Sequence, residues 1–235
     1  MLPTDHIPHF TTADSAAFAF LMFGWLALGR FVEHPPAGLP SVSILMQTYR
    51  RQWMHQFVTR QPRIFDASIM ESLRQSTSFF ASASMIAIGG GVAMIGNTDR
   101  LQGLAGDLIN LNGPSQLWQA KILLVVLLLT NATLKFVWAN RLFGYCAILM
   151  AAVPNDADDP SAYKRAGHAA EVNIHAAKSF NRGLRSIYFA LGALGWLLGP
   201  VALGLSTLTT MLVLWRREFA SYSRGVLIAG LNDIG

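Results

Sequence analysis

Six arginines are the residues of this sequence best suited to bind a ligand, because each lies beside or between strongly apolar stretches. A guanidinium group binds a phosphate or a carboxylate through two parallel hydrogen bonds. Acidic residues accompany these arginines, so the pattern has two interpretations: ion pairs that tie helix ends together, or a pocket for an anionic lipid headgroup or a small anion. The six candidates are Arg74, Arg141, Arg182, Arg185, Arg216 and Arg217.

Two histidines suggest a second kind of chemistry. His168 and His175 are seven residues apart, so they share one face of a helix and could present ligands to a metal or a haem. Metal-binding pairs on one helix usually stand closer, as in HExxH, which makes a solvated helix face the more ordinary interpretation. The single Cys146 excludes an internal disulfide and a CxxC metal site. We therefore predict no metal and no cofactor, and a haem-binding redox protein is a distant alternative.

Catalytic motifs are missing from the sequence. GxxxxGK[ST], GxSxG and HExxH do not occur, so the familiar nucleotide and hydrolase signatures are absent. Acidic residues are also absent from three long stretches, 72–98, 108–155 and 172–217, although an ion-coupled transporter normally needs a carboxylate within the membrane. These absences lean against an enzyme without deciding the question.

The composition limits what can position these residues. Of the 235 residues, 52% are hydrophobic and 13% are charged, whereas soluble domains average roughly 25% charged residues. Much of the surface must therefore face something other than water. The net charge of +5 does not indicate nucleic acid, because the basic residues flank apolar spans, where membrane orientation and anionic lipids explain them.

The most apolar stretch covers residues 116–150. Its centre, Ile122–Thr130, consists mostly of Leu, Val and Ile, and it is flanked by Trp118 and Lys121 on one side and by Trp138 and Arg141 on the other. An apolar run between Trp and Lys/Arg anchors is typical of a transmembrane helix. Further membrane helices are predicted at about 12–32, 64–96, 183–198 and 201–220, with amphipathic helices at about 41–60 and 161–182.

The sequence thus predicts an all-α polytopic membrane bundle that forms a single domain over residues 1–235. It has about five transmembrane helices if the chain turns back at Gly199-Pro200. It has four if the last apolar stretch is one kinked span. The apolar part of the 64–96 helix is rich in small residues, which allow close helix contacts in lipid, so we expect this helix to be the most enclosed. The predicted packing residues are Ser78, Ala81, Ser82, Gly89 and Gly90.

Several ordered motifs resemble the domain-of-unknown-function 599 family of bacteria and plants over about Val32 to Ser223. They include Tyr49-Arg50-Arg51-Gln52-Trp53-Met54, Ser78-Phe79-Phe80-Ala81-Ser82, Lys135-Phe136-Val137-Trp138, Phe180-Asn181-Arg182-Gly183-Leu184-Arg185, Tyr188-Phe189-Ala190 and Arg216-Arg217-Glu218-Phe219. The resemblance implies a multi-pass membrane protein. It implies no activity, and no catalytic residue is carried over.

The charge distribution orients the bundle. Basic residues crowd the segment between the first two spans, the segment before the last stretch, and the tail, whereas residues 97–115 are nearly free of them. The positive-inside rule places the N-terminus outside and the basic loops and C-terminus in the cytoplasm, which we expect for a bacterial inner (plasma) membrane protein.

Two functions follow as hypotheses. The first is a structural or accessory subunit that packs against other membrane proteins or against itself. The alternative is a binding protein or a transporter that recognises anionic lipids or small anions through the cytoplasmic arginines. Membrane lipids, anionic ones in particular, are expected partners under either hypothesis, and nucleic acid is not.

Overall fold

The computed structural model describes residues 11–98 and 115–233. These residues form seven α-helices and one short 3-10 helix, Leu194–Leu198, between α5 and α6. The α-helices are α1 (Thr12–Glu33), α2 (Val42–Thr59), α3 (Ile64–Ile95), α4 (Ser115–Ala151), α5 (Ala162–Ala193), α6 (Pro200–Phe219) and α7 (Tyr222–Asn232). The N-terminal segment before Thr11 and most of the loop predicted at 97–115 lie outside the described residues.

Local sequence signals set the ends of α1. Thr11 is the N-cap: its hydroxyl accepts from the Asp14 backbone N–H, and the Asp14 carboxylate accepts from the Thr11 backbone N–H, which forms a capping box. The helix ends at Glu33, just before His34 and two prolines that cannot continue it. Helix α1 therefore has the buried Asp14 carboxyl group in its first turn and the half-buried Glu33 carboxyl group at its C-terminal end.

The long helices α4 and α5 form the centre of the bundle. Phe136 of α4 is fully buried, and its ring lies so close to Gly183 of α5 that a Cβ at position 183 would be 2.7 Å from it. Phe80 of α3 stacks on Phe136 from another side. Helices α1 and α6 run side by side near the second half of α5, where Phe31 packs against Phe219. This arrangement brings the C-terminal ends of α1 and α6 and the N-terminal end of α2 to the same side of α5.

The predicted boundary between a polar helix at 161–182 and a membrane helix at 183–198 is wrong, because α5 runs unbroken from Ala162 to Ala193. The side chains change from polar to apolar along it, which changes their surroundings without interrupting backbone hydrogen bonding. Its N-terminal half packs on the C-terminal half of α4 through small residues such as Ala169. The sequence also did not predict α7.

The chain does turn back at Gly199-Pro200. Gly199 has a φ of 109°, a conformation that costs glycine little, and Pro200 opens α6. The Ser206 hydroxyl then donates to the Gly192 carbonyl at 2.6 Å, and Arg217 Nη1 donates to the Tyr188 hydroxyl at 3.4 Å. The segments on either side of Gly199 thus form a helical hairpin and not one kinked helix.

Three of the described helices are long and apolar enough to cross a membrane: α1, α3 and α4. The expectation that α3 is the most enclosed of them is wrong. Only 11% of its most apolar window is buried, against 28% for α1 and 39% for α4. The small side chains of α3 leave room for a close neighbour, but no helix among the described residues covers most of that face.

Candidate functional site

A polar cavity of about 220 Å³ lies where the C-terminal end of α1 and the C-terminal end of α6 meet α2 and α5. Its walls carry more basic than acidic side chains. The basic residues are Arg50, Lys178, Arg185 and Arg217, and the acidic residues are Glu33 and Glu218. Ser43, Gln47 and Asn181 add neutral polar groups. We refer to this site as the basic cavity.

Capping interactions position α2 against the cavity. Ser41, the N-cap of α2, is buried, and its hydroxyl donates to the Val32 carbonyl of α1 at 2.7 Å. Ser43 follows in the first turn, and its backbone N–H and hydroxyl both donate to the Glu218 carboxylate, at 3.0 and 3.2 Å. A carboxylate at a helix N-terminus is favoured by the helix dipole. The start of α2 is therefore fixed to both α1 and α6, and Arg50 lies two turns further along the same helix.

Both carboxylates of the cavity already have partners. Glu33 accepts from Arg182 Nε at 2.8 Å and is also paired with Arg185 Nη2. Glu218 is 6% exposed and accepts the two bonds from Ser43. The acidic groups thus have much of their hydrogen-bonding capacity in use before any ligand arrives.

The basic groups, in contrast, have donors to spare. Arg50 donates through Nη1 to Asn173 Oδ1, and Arg217 donates through Nη1 to the Tyr188 hydroxyl, whereas each guanidinium carries five N–H donors. Burial lowers the pKa of the Arg50 guanidinium, but an arginine side chain stays protonated at neutral pH. The cavity therefore offers positive charge and unused N–H donors, which is the chemistry that recognises an anion.

The structure divides the six predicted arginines into separate groups. Arg182, Arg185 and Arg217 lie at or beside the basic cavity, although Arg182 is turned toward Glu33 and its side chain is 48% exposed. Arg216 is exposed and does not line the cavity. Arg74 and Arg141 lie elsewhere, on a groove between α3 and α4. The prediction of a single arginine cluster is therefore wrong, because these two helices carry their arginines to another side of the bundle.

The predicted packing residues of α3 also divide. Ala81 is buried against Ala132 and Phe136. Ser78 and Ser82 face the groove between α3 and α4, and Ser78 accepts a hydrogen bond from Asn140 Nδ2 at 2.9 Å. Gly89 and Gly90 contact no neighbouring helix: a Cβ built at either position meets no atom within 4 Å in the described structure.

His168 and His175 both lie exposed on α5. His175 is near Glu171, whose carboxylate is paired with Arg51 Nε at 2.7 Å. The Arg51 guanidinium holds the pKa of Glu171 below its usual range. Among the described residues, no group of three His, Cys, Asp or Glu side chains is placed to hold a metal ion.

Sequence reasoning missed Arg50 and Lys178 as cavity residues, and it counted Glu218 among the acidic residues beside the arginines without naming it as a site residue. Arg50 was assigned only to an amphipathic surface. Arg50 and Asn173 are 123 positions apart along the chain, so no local sequence pattern indicated that they are in contact. Glu218 had one visible signal: it is the acidic residue that directly follows the pair Arg216-Arg217.

A second missed cluster lies at the opposite end of the bundle. Asp14 is 5% exposed, and its Oδ1 accepts from Trp196 Nε1 at 2.7 Å. The Lys121 ammonium lies 5.9 Å from the centre of the Trp196 ring and contributes positive charge near Asp14. These three side chains tie the start of α1 to α4 and to the 3-10 helix.

The fold and the cavity define a class of protein: a helical bundle whose described residues include three helices able to cross a membrane, with a basic cavity at one end. The family model described as a protein of unknown function, DUF599, matches residues 16–223. The chain therefore belongs to the DUF599 family, in agreement with the resemblance of its motifs. No curated protein and no solved structure matches the chain significantly.

Proposed function

We propose that this protein is a multi-pass membrane protein that binds a small anionic molecule in the basic cavity. The observation that carries the proposal is the imbalance of the cavity walls: four basic side chains and two acidic ones, with both acidic side chains already bonded to the protein. The volume of about 220 Å³ suits a small phosphate- or carboxylate-bearing molecule.

The binding experiment compares two neighbouring arginines. Both arginines are exposed at the same helix end, but Arg217 lines the cavity and Arg216 does not. Arg217→Gln and Arg216→Gln remove the same charge. A charge-assisted hydrogen bond is worth about 1.5–3 kcal/mol, so Arg217→Gln should weaken anion binding by about tenfold or more, whereas Arg216→Gln should leave it nearly unchanged.

The measurement is calorimetric titration of the purified protein in neutral detergent with inorganic phosphate, pyrophosphate, succinate and citrate. Lys178→Gln is a second cavity variant at a half-buried position. Binding of at least one probe, weakened by both cavity variants and not by Arg216→Gln, supports the proposal. Equal weakening by Arg216→Gln would indicate general electrostatic attraction and would reject the cavity as the site.

We further propose that the protein crosses a bacterial inner membrane five times, with the N-terminus outside. The second half of α5 and the whole of α6 would be the fourth and fifth spans. The hairpin contact between Ser206 and Gly192 supports the return of the chain, and α6 presents an apolar outer surface to lipid. That surface is formed by Val201, Leu205, Leu208, Leu212 and Val213. The arginines at both ends of this hairpin, Arg185 and Arg217, would then lie at the cytoplasmic face.

A second candidate function is that of an accessory subunit that packs on another membrane protein, or on a second copy, through α3. The favouring observation is the open surroundings of Gly89 and Gly90, which would allow a partner helix to approach closely. Gly89→Leu with Gly90→Leu should dissociate such a complex. Gly204→Leu on α6 is the matched control, because a Cβ at position 204 also meets no atom within 4 Å.

The complex would be measured by native mass spectrometry of protein released from its own membranes in mild detergent. A mass above that of one chain, lost in the α3 variant and retained in the Gly204→Leu control, supports this function. A protein that is always monomeric and alone contradicts it.

A further inference from the structure

A broad groove of about 800 Å³ runs between α3 and α4 on a side of the bundle different from the basic cavity. Its polar side chains are Arg74 and Ser78 of α3 and Asn140, Arg141 and Tyr145 of α4. Small residues form its floor, which explains why it is unfilled. They are Ala81, Ser82, Gly144 and Ala147.

Within residues 11–98 and 115–233, no buried carboxylate neutralises the two arginines of the groove. Arg141 Nε donates to the Tyr145 hydroxyl at 2.6 Å, so a neutral group and not a carboxylate orients it. Arg74 has an acidic neighbour in Glu71, at 3.8 Å, but both side chains are exposed, at 45% and 72%. An exposed pair at that distance contributes little. The groove therefore keeps a net positive charge, and one of its guanidinium groups is oriented by a hydrogen bond to Tyr145.

Apolar groups surround the arginines on the outer surface. Val137, Trp138 and Ile148 are 53%, 51% and 68% exposed, and Leu134 lies one turn before Trp138 at 65% exposed. Exposed Trp and Tyr beside Arg are typical of the boundary between lipid tails and headgroups. A ligand in this groove would thus contact the arginines with one part and an apolar surface with another part. This arrangement matches the headgroup and acyl chain of a phospholipid and not a free phosphate ion.

A second hollow of about 460 Å³ adjoins the groove and shares Arg74 and Ala147 with it. Its other walls include the apolar Phe57, Met70 and Met150, together with the charged Arg63 and Glu71. The space beside Arg74 therefore extends past the groove itself, which gives room for a headgroup larger than a single phosphate.

We propose that the α3–α4 groove binds the headgroup of an anionic phospholipid, with its phosphate held between Arg74 and Arg141 and an acyl chain lying along Val137 and Leu134. This inference relies on the proposed membrane location but not on ligand binding in the basic cavity. Arg74 and Arg141, which the sequence grouped with the cavity arginines, form a separate lipid site.

The test is native mass spectrometry of the protein released from nanodiscs that contain phosphatidylcholine and phosphatidylglycerol in equal amounts. Wild-type protein should retain phosphatidylglycerol in preference to phosphatidylcholine. Arg74→Gln with Arg141→Gln should reduce that preference by about tenfold or more. Ser82→Leu keeps the charge and fills the floor of the groove, so it should also reduce retention. Arg216→Gln, which lies outside both sites, should preserve it.

The outcomes separate this proposal from the others. Loss of the preference in both groove variants, with phosphate binding in the basic cavity unchanged by calorimetry, supports a separate lipid site. A preference that survives the double substitution, or falls equally in Arg216→Gln, overturns it. Displacement of phosphatidylglycerol by millimolar inorganic phosphate would show that the groove recognises a free anion and would also overturn it. If the Arg74→Gln, Arg141→Gln variant does not assemble into nanodiscs, the lipid preference of Ser82→Leu, which changes no charge, decides the test.

Discussion

Glu33 is the residue on which the arginines around the cavity depend. Its side chain is 14% exposed and accepts hydrogen bonds from Arg182 and Arg185, which are 48% and 9% exposed. The two arginines would respond differently to the loss of the Glu33 carboxylate. Arg185 would be left as a buried charge with few alternatives, whereas Arg182 can turn to water.

The first prediction compares Glu33→Ala with Arg182→Ala. Breaking a buried ion pair costs roughly 3–5 kcal/mol because the remaining charge stays desolvated, so Glu33→Ala should lower the free energy of unfolding by about 3 kcal/mol. Arg182→Ala removes an exposed partner and leaves Glu33 paired with Arg185, so its cost should be below about 1 kcal/mol. Reversible unfolding in mixed micelles measures both, and equal costs would mean that Arg185 is not held by Glu33.

The ion pair between Glu33 and Arg185 also affects ligand binding. Removal of Glu33 frees the donors of Arg185 toward the basic cavity and removes one negative charge from its wall. If the proposed anion site is right, Glu33→Gln protein that remains folded should bind phosphate more tightly than wild type. Calorimetry checks this, with a circular dichroism spectrum as the control for folding. Weaker binding would contradict the expectation that Glu33 repels the anion and competes for the donors of Arg185.

At the scale of elements, α5 is one continuous helix whose N-terminal half is polar and whose C-terminal half is apolar. Gly183 lies in its middle, where the chain approaches Phe136 of α4 so closely that a Cβ would be 2.7–2.9 Å from three ring atoms. Phe136 is fully buried and also stacks on Phe80, so the ring has little room to move. Gly167, near the start of the same helix, has nothing within 4 Å of a Cβ.

The second prediction uses these two glycines as a matched pair. Gly183→Ala should cost about 1–3 kcal/mol of unfolding free energy through overpacking against Phe136. Gly167→Ala should stabilise the protein by up to about 1 kcal/mol, because alanine is the better helix former in an open position. Thermal unfolding in detergent should shift in opposite directions. A stabilising Gly183→Ala would show that α4 and α5 lie further apart than described here.

For the whole molecule, basic residues from three different helices meet at one end. Arg50, Arg185 and Arg217 belong to α2, α5 and α6, and all line one cavity. Asp14 and Trp196 mark the opposite end, near the start of α4. This polarity, together with the proposed spans, implies a definite orientation in the membrane.

The third prediction tests that orientation with single cysteines at Asn97, Asn155 and Ser223, all exposed, in a Cys146→Ser background. An impermeant thiol reagent added to intact cells should label position 97 only. Positions 155 and 223 should react after the membrane is permeabilised. Labelling at 223 in intact cells would remove the fifth span, and labelling at 155 but not at 97 would invert the bundle.

Several features were accessible from the sequence because they depend on local patterns. Apolar runs of sufficient length predicted α1, α3 and α4, and Gly199-Pro200 marked the turn between α5 and α6. The ordered motifs pointed to the DUF599 family, which the family model confirms over residues 16–223. Each of these signals lies within one stretch of chain, so no knowledge of distant contacts was needed.

Which arginines meet was decided only by the tertiary structure. Side-chain direction turns by about 100° per residue in a helix, so the face that Arg141 or Arg185 presents depends on how its helix is rotated against its neighbours. The same holds for α3: small residues permit close contact, but the packing of the other helices decides whether a neighbour is present. The sequence by itself determined the three long apolar helices α1, α3 and α4 and their suitability for a membrane. The tertiary structure alone joined Arg50 to Arg185 and Arg217 and set Arg74 and Arg141 apart, because helix rotation and pairing arise from contacts between residues far apart in the chain.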